Sequence, residues 1–250
     1  MKKTLLFTAV VSLLTCGFLF AKPKKADYSS GVKVVASTSW TAAFADIAGA
    51  DQVDVIAPAN LRHPPEYEVT VGDIQKIHES NYFIYAGFER MMKTLGDSVG
   101  KTEMVKIRCD NSVENVLAQT KKIADLLGTQ EICEKRIKDF LDAEEYGKKT
   151  VTKKGLKEAK VLCNVNQIYL AKDLGFEVAG TFGPGPVTAD QIADAKTGNY
   201  VLIIDNVHNP VGTPLAEVAP EAKYVIWRNF PEKVERGALV KVIKANIDTL

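Results

Sequence analysis

Side chains able to bind a ligand gather where apolar, strand-like runs give out, at residues 37–39, 62–68, 163–167 and 205–209. Asp205 ends the run Tyr200-Val201-Leu202-Ile203-Ile204, and His208 stands three residues on. A carboxylate with an imidazole can hold a borderline divalent metal, and the same groups can exchange hydrogen bonds with an organic ligand. His63 precedes Pro64 and Pro65, which stiffen its loop, and Glu66 and Glu68 add carboxylates nearby. Asp205, His208 and His63 are therefore the expected metal-binding candidates. Glu66, Glu68, Cys163, Asn164 and Asn166 are expected around the same cleft; the two amides would suit a ligand that carries no dehydrated metal. Ordinary alternatives stand beside these. His63 and the glutamates also read as surface-loop residues, and Cys163, in an apolar run, as a buried structural thiol.

Catalytic chemistry finds less support. The chain spells no Gly-x-x-x-x-Gly-Lys-Ser/Thr phosphate loop and no His-Glu-x-x-His helix. Gly183-Pro184-Gly185-Pro186 is a poor phosphate cradle, because its prolines lack amide donors. Asp205 and His208 could form an acid–base pair, but no positioned nucleophile accompanies them, so no enzyme is expected.

The elements that must position these groups follow from periodicity. A strand is expected at 33–38, then a helix with Trp40, Ala43, Phe44 and Ile47 on one face, stopped by Gly49. Further strands are expected at 53–57, 82–86 and 103–107, separated by helices at 70–79 and 88–95. The period then changes: Val113, Val116, Leu117, Ile123, Ala124 and Leu127 fit one helix. Ile132, Ile137, Phe140 and Leu141 fit a second, reaching toward Tyr146. Alternation resumes with strands at 160–164, 177–181, 200–204 and 223–227, interleaved with helices. The pattern predicts an α/β fold: two parallel-sheet lobes joined by a helical connector, with lobes at 31–111 and 158–250 and the connector at 112–157. Strand ends on one side of a parallel sheet converge, so the four polar segments are expected to surround one cleft between the lobes.

Lys2 and Lys3 precede an apolar run over residues 5–21, the pattern of a secretory signal. A soluble product would begin after Ala21. Alternatively, Leu13-Leu14-Thr15-Cys16 reads as a lipoprotein signal with Cys16 lipidated, which would anchor the chain to a membrane. The expected location is the periplasm or an extracytoplasmic membrane surface. Losing Lys2 and Lys3 takes the formal charge from +1 to −1, which gives no electrostatic reason to expect a nucleic-acid partner. The Lys-rich stretch at 148–157 reads as solvated surface. Cys109, Cys133 and Cys163 are spaced too widely for a disulfide framework or a zinc knuckle.

Several segments resemble the zinc/manganese solute-binding family of bacterial ABC importers, the metal-binding lipoprotein and adhesin group. In the first half they are Val35-Ala36-Ser37-Thr38-Ser39-Trp40, Pro65-Glu66-Tyr67-Glu68-Val69-Thr70, Asp73 and Tyr85-Ala86-Gly87-Phe88-Glu89. In the second they are Tyr169-Leu170-Ala171, Gly175, Phe182-Gly183-Pro184 and Asp205-Asn206-Val207-His208-Asn209-Pro210. The resemblance implies two lobes on a long helical backbone, an ABC permease as partner, a metal ion or small solute as cargo and no resident cofactor; a monomer is expected. It also implies a metal site that this chain keeps only in part. Pro65 stands at the family's first histidine position, residues 108–115 contain no histidine for the second, and Asn164 takes the third. Asp205 alone matches, as the acidic ligand. Three readings follow: a zinc or manganese site rebuilt around Asp205, His208 and His63, a changed specificity for a non-metal solute, or an adhesin-like interaction protein.

Overall fold

The computed structural model describes residues 32–96 and 99–250. The expected signal segment and Cys16 lie outside these residues. The N-terminal lobe runs β1 (Val34–Ala36), α1 (Ser39–Ile47), β2 (Val53–Val55), a 3-10 turn (Pro64–Glu66), α2 (Val71–His78), β3 (Tyr82–Tyr85), α3 (Met91–Leu95) and β4 (Glu103–Lys106). Helices α4 (Val113–Leu127) and α5 (Gln130–Lys153) connect it to the second lobe. That lobe runs β5 (Lys160–Asn164), α6 (Ile168–Asp173), β6 (Glu177–Phe182), α7 (Ala189–Thr197), β7 (Leu202–Asn206), α8 (Thr213–Val218), β8 (Lys223–Trp227) and α9 (Ala238–Asp248).

Each lobe holds a four-stranded parallel sheet, ordered β2-β1-β3-β4 in the first and β6-β5-β7-β8 in the second. The expected α/β architecture of two parallel-sheet lobes joined by helices is the one observed. Local chemistry explains several boundaries. Thr70 and Asp73 cap α2 reciprocally, and the Tyr67 hydroxyl donates to Asp73 at 2.9 Å. Burial would raise the Asp73 carboxyl, but these bonds from Thr70 and Tyr67 outweigh it and hold it low. This part of the Pro65–Thr70 motif therefore works as a helix start. Gly128, left-handed at φ 65°, ends α4, so the connector is two helices rather than one. α5 continues well past Tyr146 because Gly147 lets it lie against α6 and α9: a Cβ there would come within 2.4 Å of Leu174 and 2.7 Å of Ile247.

One apolar core passes through both lobes and the connector, taking in Phe44, Ile84, Phe140, Leu202, Trp227 and Ile243. Polar contacts reinforce that union. Arg136 on α5 bonds the Ala50 carbonyl at 3.0 Å and pairs with Asp46 at 3.2 Å, while Gly237 N–H donates to the other Asp46 oxygen at 2.8 Å. Ser39 donates to the Pro231 carbonyl at 2.6 Å. Lobes sharing a packed core favour small cleft adjustments over wide hinge opening. Among the described residues, no helix is long and apolar enough to cross a membrane.

Candidate functional site

In both sheets the chain leaves the first strand toward one edge and returns to build the third strand on the other side. This reversal opens a crevice at the carboxyl ends of the first and third strands. Thr38 and Phe88 follow β1 and β3, and Asn166 and His208 follow β5 and β7. All four line one cavity of about 550 Å³ between the lobes. The proline-stiffened loop adds Arg62, His63 and Glu66 at its rim, and the ends of β4 and β8 contribute Cys109, Asn229 and Phe230.

The expected site residues divide into two sets. His63, His208, Glu66 and Asn166 line the cavity; Asp205, Cys163, Asn164 and Glu68 do not. Asp205 is wholly buried, and its carboxylate accepts four hydrogen bonds. Oδ1 takes Asn164 Nδ2 at 3.0 Å and Asn206 N–H at 2.7 Å; Oδ2 takes Gly212 N–H and the Tyr224 hydroxyl, each at 2.7 Å. Those donors occupy the acceptor capacity that a metal would require. Burial, then the bond to Asp205, pushes the Tyr224 phenol up to about 12. Asn164 is committed as well, since its Oδ1 accepts the Asn166 N–H at 3.1 Å. The Cys163 thiol is buried, and burial pushes its pKa far upward, with the Asp205 charge adding to the effect. Glu68 instead pairs with Arg90 at 3.1 Å on the surface. Among the described residues, no three His, Cys, Asp or Glu side chains gather to hold a metal ion.

His208 is the group that most distinguishes the cavity. Its ring stacks on Phe230, with centroids 3.6 Å apart and planes 12° off parallel, and its Nε2 is buried with no hydrogen-bond partner. Burial first, then the Arg228 charge, pushes the imidazole down to about 4; backbone groups of Phe230 and Arg62 partly oppose the shift. The ring is neutral at physiological pH. Asn229 Oδ1 is likewise buried and unpartnered. Trp40 extends the aromatic wall: it lies 5.8 Å from Phe230, and its indole N–H donates to Asn111 at 2.9 Å. Asn111 in turn donates to the Asn229 carbonyl at 2.7 Å, tying α1 to the loop after β8.

Sequence reasoning placed neither Cys109, Asn229 nor Phe230 at the cleft. The rule that found the other segments would have reached them, because they also follow strands. Burial, with the charges of Glu89 and Asp110, pushes the Cys109 thiol well up, so it is a poor nucleophile. Gly96-Asp97-Ser98-Val99-Gly100 spells a hydrolase-like Gly-x-Ser-x-Gly, and Lys101-Thr102 brings it one residue short of a phosphate loop. Both motifs need a strand-to-helix turn, whereas this segment runs from helix α3 to strand β4.

Gly183 precedes Pro184, which lines the cavity. At φ +74° it occupies the left-handed region, and a Cβ there would come within 2.8 Å of Asn164 Nδ2. Gly183→Ala is expected to destabilise the protein by about 1–3 kcal/mol through strain and displacement of Asn164. Urea unfolding of both forms measures this, and equal midpoints would contradict it.

No family model and no curated protein sequence matches this chain. Solved structures do. The laminin-binding protein of Streptococcus agalactiae, described as bifunctional with adhesin and metal-transporting activity, superposes with a TM-score of 0.66 at 16% identity, over 87% of this chain and 97% of its own. The SBP FpvC of Pseudomonas aeruginosa in complex with Ni2+ gives 0.70 at 15% identity, over 88% and 95%. The Mn-bound periplasmic metal-binding protein of Candidatus Liberibacter asiaticus gives 0.62 at 14%, over 88% and 98%. At these identities the likeness is one of fold, and it spans both lobes and the connector between them.

Proposed function

We propose that this chain is the extracytoplasmic solute-binding component of an ABC importer, and that its cargo is a small non-metal solute. It would capture solute between the lobes and present it to a membrane permease, without chemical conversion. A signal on residues 1–21 would deliver it to the periplasm or, through Cys16, anchor it on the membrane surface. The observation that carries the reading is the cavity at paired strand ends, walled by both lobes and fixed by their shared core. The structural neighbours described as metal-bound or metal-transporting support capture and transport.

The donor set argues against zinc or manganese as the cargo. Asp205 is saturated, His63 and Glu66 are exposed at the rim, and Cys109 is held as a thiol. His208 is thus left without the two or three further ligands that a tight site requires. Metal analysis of untagged protein, with calorimetric titration of zinc and manganese, is expected to show no stoichiometric binding. One equivalent of either metal, lost in His208→Phe, would restore the rebuilt-site reading.

A further inference from the structure

The cavity keeps two buried polar atoms unsatisfied, His208 Nε2 and Asn229 Oδ1. Both residues line the same space, and both are more than nine-tenths buried. Native interiors seldom leave such atoms without a partner unless a bound species supplies one. Asn229 Oδ1 is an acceptor. The neutral His208 ring carries one proton, and the tautomer that holds it on Nδ1 leaves the Nε2 lone pair free to accept as well. The missing partner therefore carries donors. Its charge is constrained too. The polar groups that accompany this pair include Thr38, Cys109 and the amides Asn166, Asn206 and Asn209, all uncharged, while Arg62, His63 and Glu66 are exposed at the rim. The Arg228 charge that acts on His208 would repel a cation and already pairs with Glu232 at 2.5 Å, so a neutral ligand there avoids both repulsion and competition with that pair. The remaining walls include Trp40, Phe88, Tyr169 and Phe230, flat apolar surfaces suited to a ring.

We infer that the cavity takes a small neutral organic solute that bears a ring and hydrogen-bond donors along one edge, the donors meeting His208 and Asn229 and the ring lying against the aromatic wall. This rests on the solute-binding reading above and names the class of solute. A cavity of about 550 Å³ accommodates such a molecule. Meeting the two buried atoms requires the His208 and Asn229 side chains to turn toward the cavity.

Phenylurea, a neutral ring with two N–H donors on one edge, is the probe, and 1,1,3-trimethyl-3-phenylurea, which has no N–H, is its control. Calorimetry and thermal shift on the signal-free chain are expected to show saturable phenylurea binding, at least tenfold weaker for the control. His208→Phe keeps a ring against Phe230 but loses the acceptor; Asn229→Ala loses the other. Each is expected to weaken phenylurea about tenfold while circular dichroism stays native. Equal binding of the two ureas, or undiminished binding by both folded variants, would overturn the inference. If phenylurea fails while another solute, identified by mass spectrometry of the purified protein, binds one-to-one, the class falls and solute capture stands. If phenylurea, zinc, manganese and every co-purifying small molecule fail to bind, both readings fall.

Discussion

Asp205→Asn is expected to weaken folding of the C-terminal lobe rather than simply to empty the cleft. The native carboxylate accepts from Asn164, the Asn206 and Gly212 amides and the Tyr224 hydroxyl, all at 2.7–3.0 Å. An asparagine side chain has one acceptor and one donor end. Either orientation sets its N–H groups against a backbone N–H, which cannot reverse its polarity. Each buried donor left unmatched costs about 1–3 kcal/mol, so Asn should destabilise by roughly 2–4 kcal/mol. Asp205→Ala, which strands all four donors, should exceed that and sit among the most damaging substitutions. Urea denaturation followed by far-ultraviolet circular dichroism measures both. An unchanged midpoint, together with lost affinity for a metal, would make Asp205 a ligand after all.

Above neutral pH, stability is expected to fall because of Glu144, a residue of the connector. Its carboxyl is buried in α5, and neither oxygen has a hydrogen-bond partner. Burial, and secondarily the Asp173 charge, pushes it up to about 8 from an ordinary 4.5; Lys148 partly opposes. The folded state therefore holds this proton more tightly than the unfolded chain does. The resulting stabilisation is complete below about 4.5 and is lost as pH rises toward about 8. His208 acts with the opposite sign. Its folded value near 4 lies below the ordinary 6.5, so its contribution grows as pH rises through that interval. The two oppose each other in the acid range, and above about 6.5 the Glu144 loss stands clear. From pH 6.5 to 8.5, about 1.5 units of proton linkage should remove roughly 2 kcal/mol. Glu144→Gln, neutral throughout, should flatten that interval. Parallel pH profiles for the native protein and this variant would rule Glu144 out as the cause.

Much of the architecture was legible because its signals are local. Apolar runs located the strands, the separate patterns at 113–127 and 132–141 marked two connector helices, and strand-end polarity pointed to a cleft that His208, His63, Glu66 and Asn166 do line. The Phe88 segment was less legible: α3 starts only at Met91, because Glu89 turns back to accept the Ala86 and Gly87 amides at 2.8 and 2.6 Å. The sequence by itself determined two α/β lobes, their helical connection and the side of the sheets where the cavity opens. Tertiary structure alone decided which polar groups are still available there. Asp205 lost its availability to donors 41, 7 and 19 residues away, while His208 and Asn229 came to line the cavity with one atom each unsatisfied. Secondary structure follows from short-range periodicity, but the allocation of hydrogen bonds depends on which distant groups packing brings together, and no spacing in the chain records it.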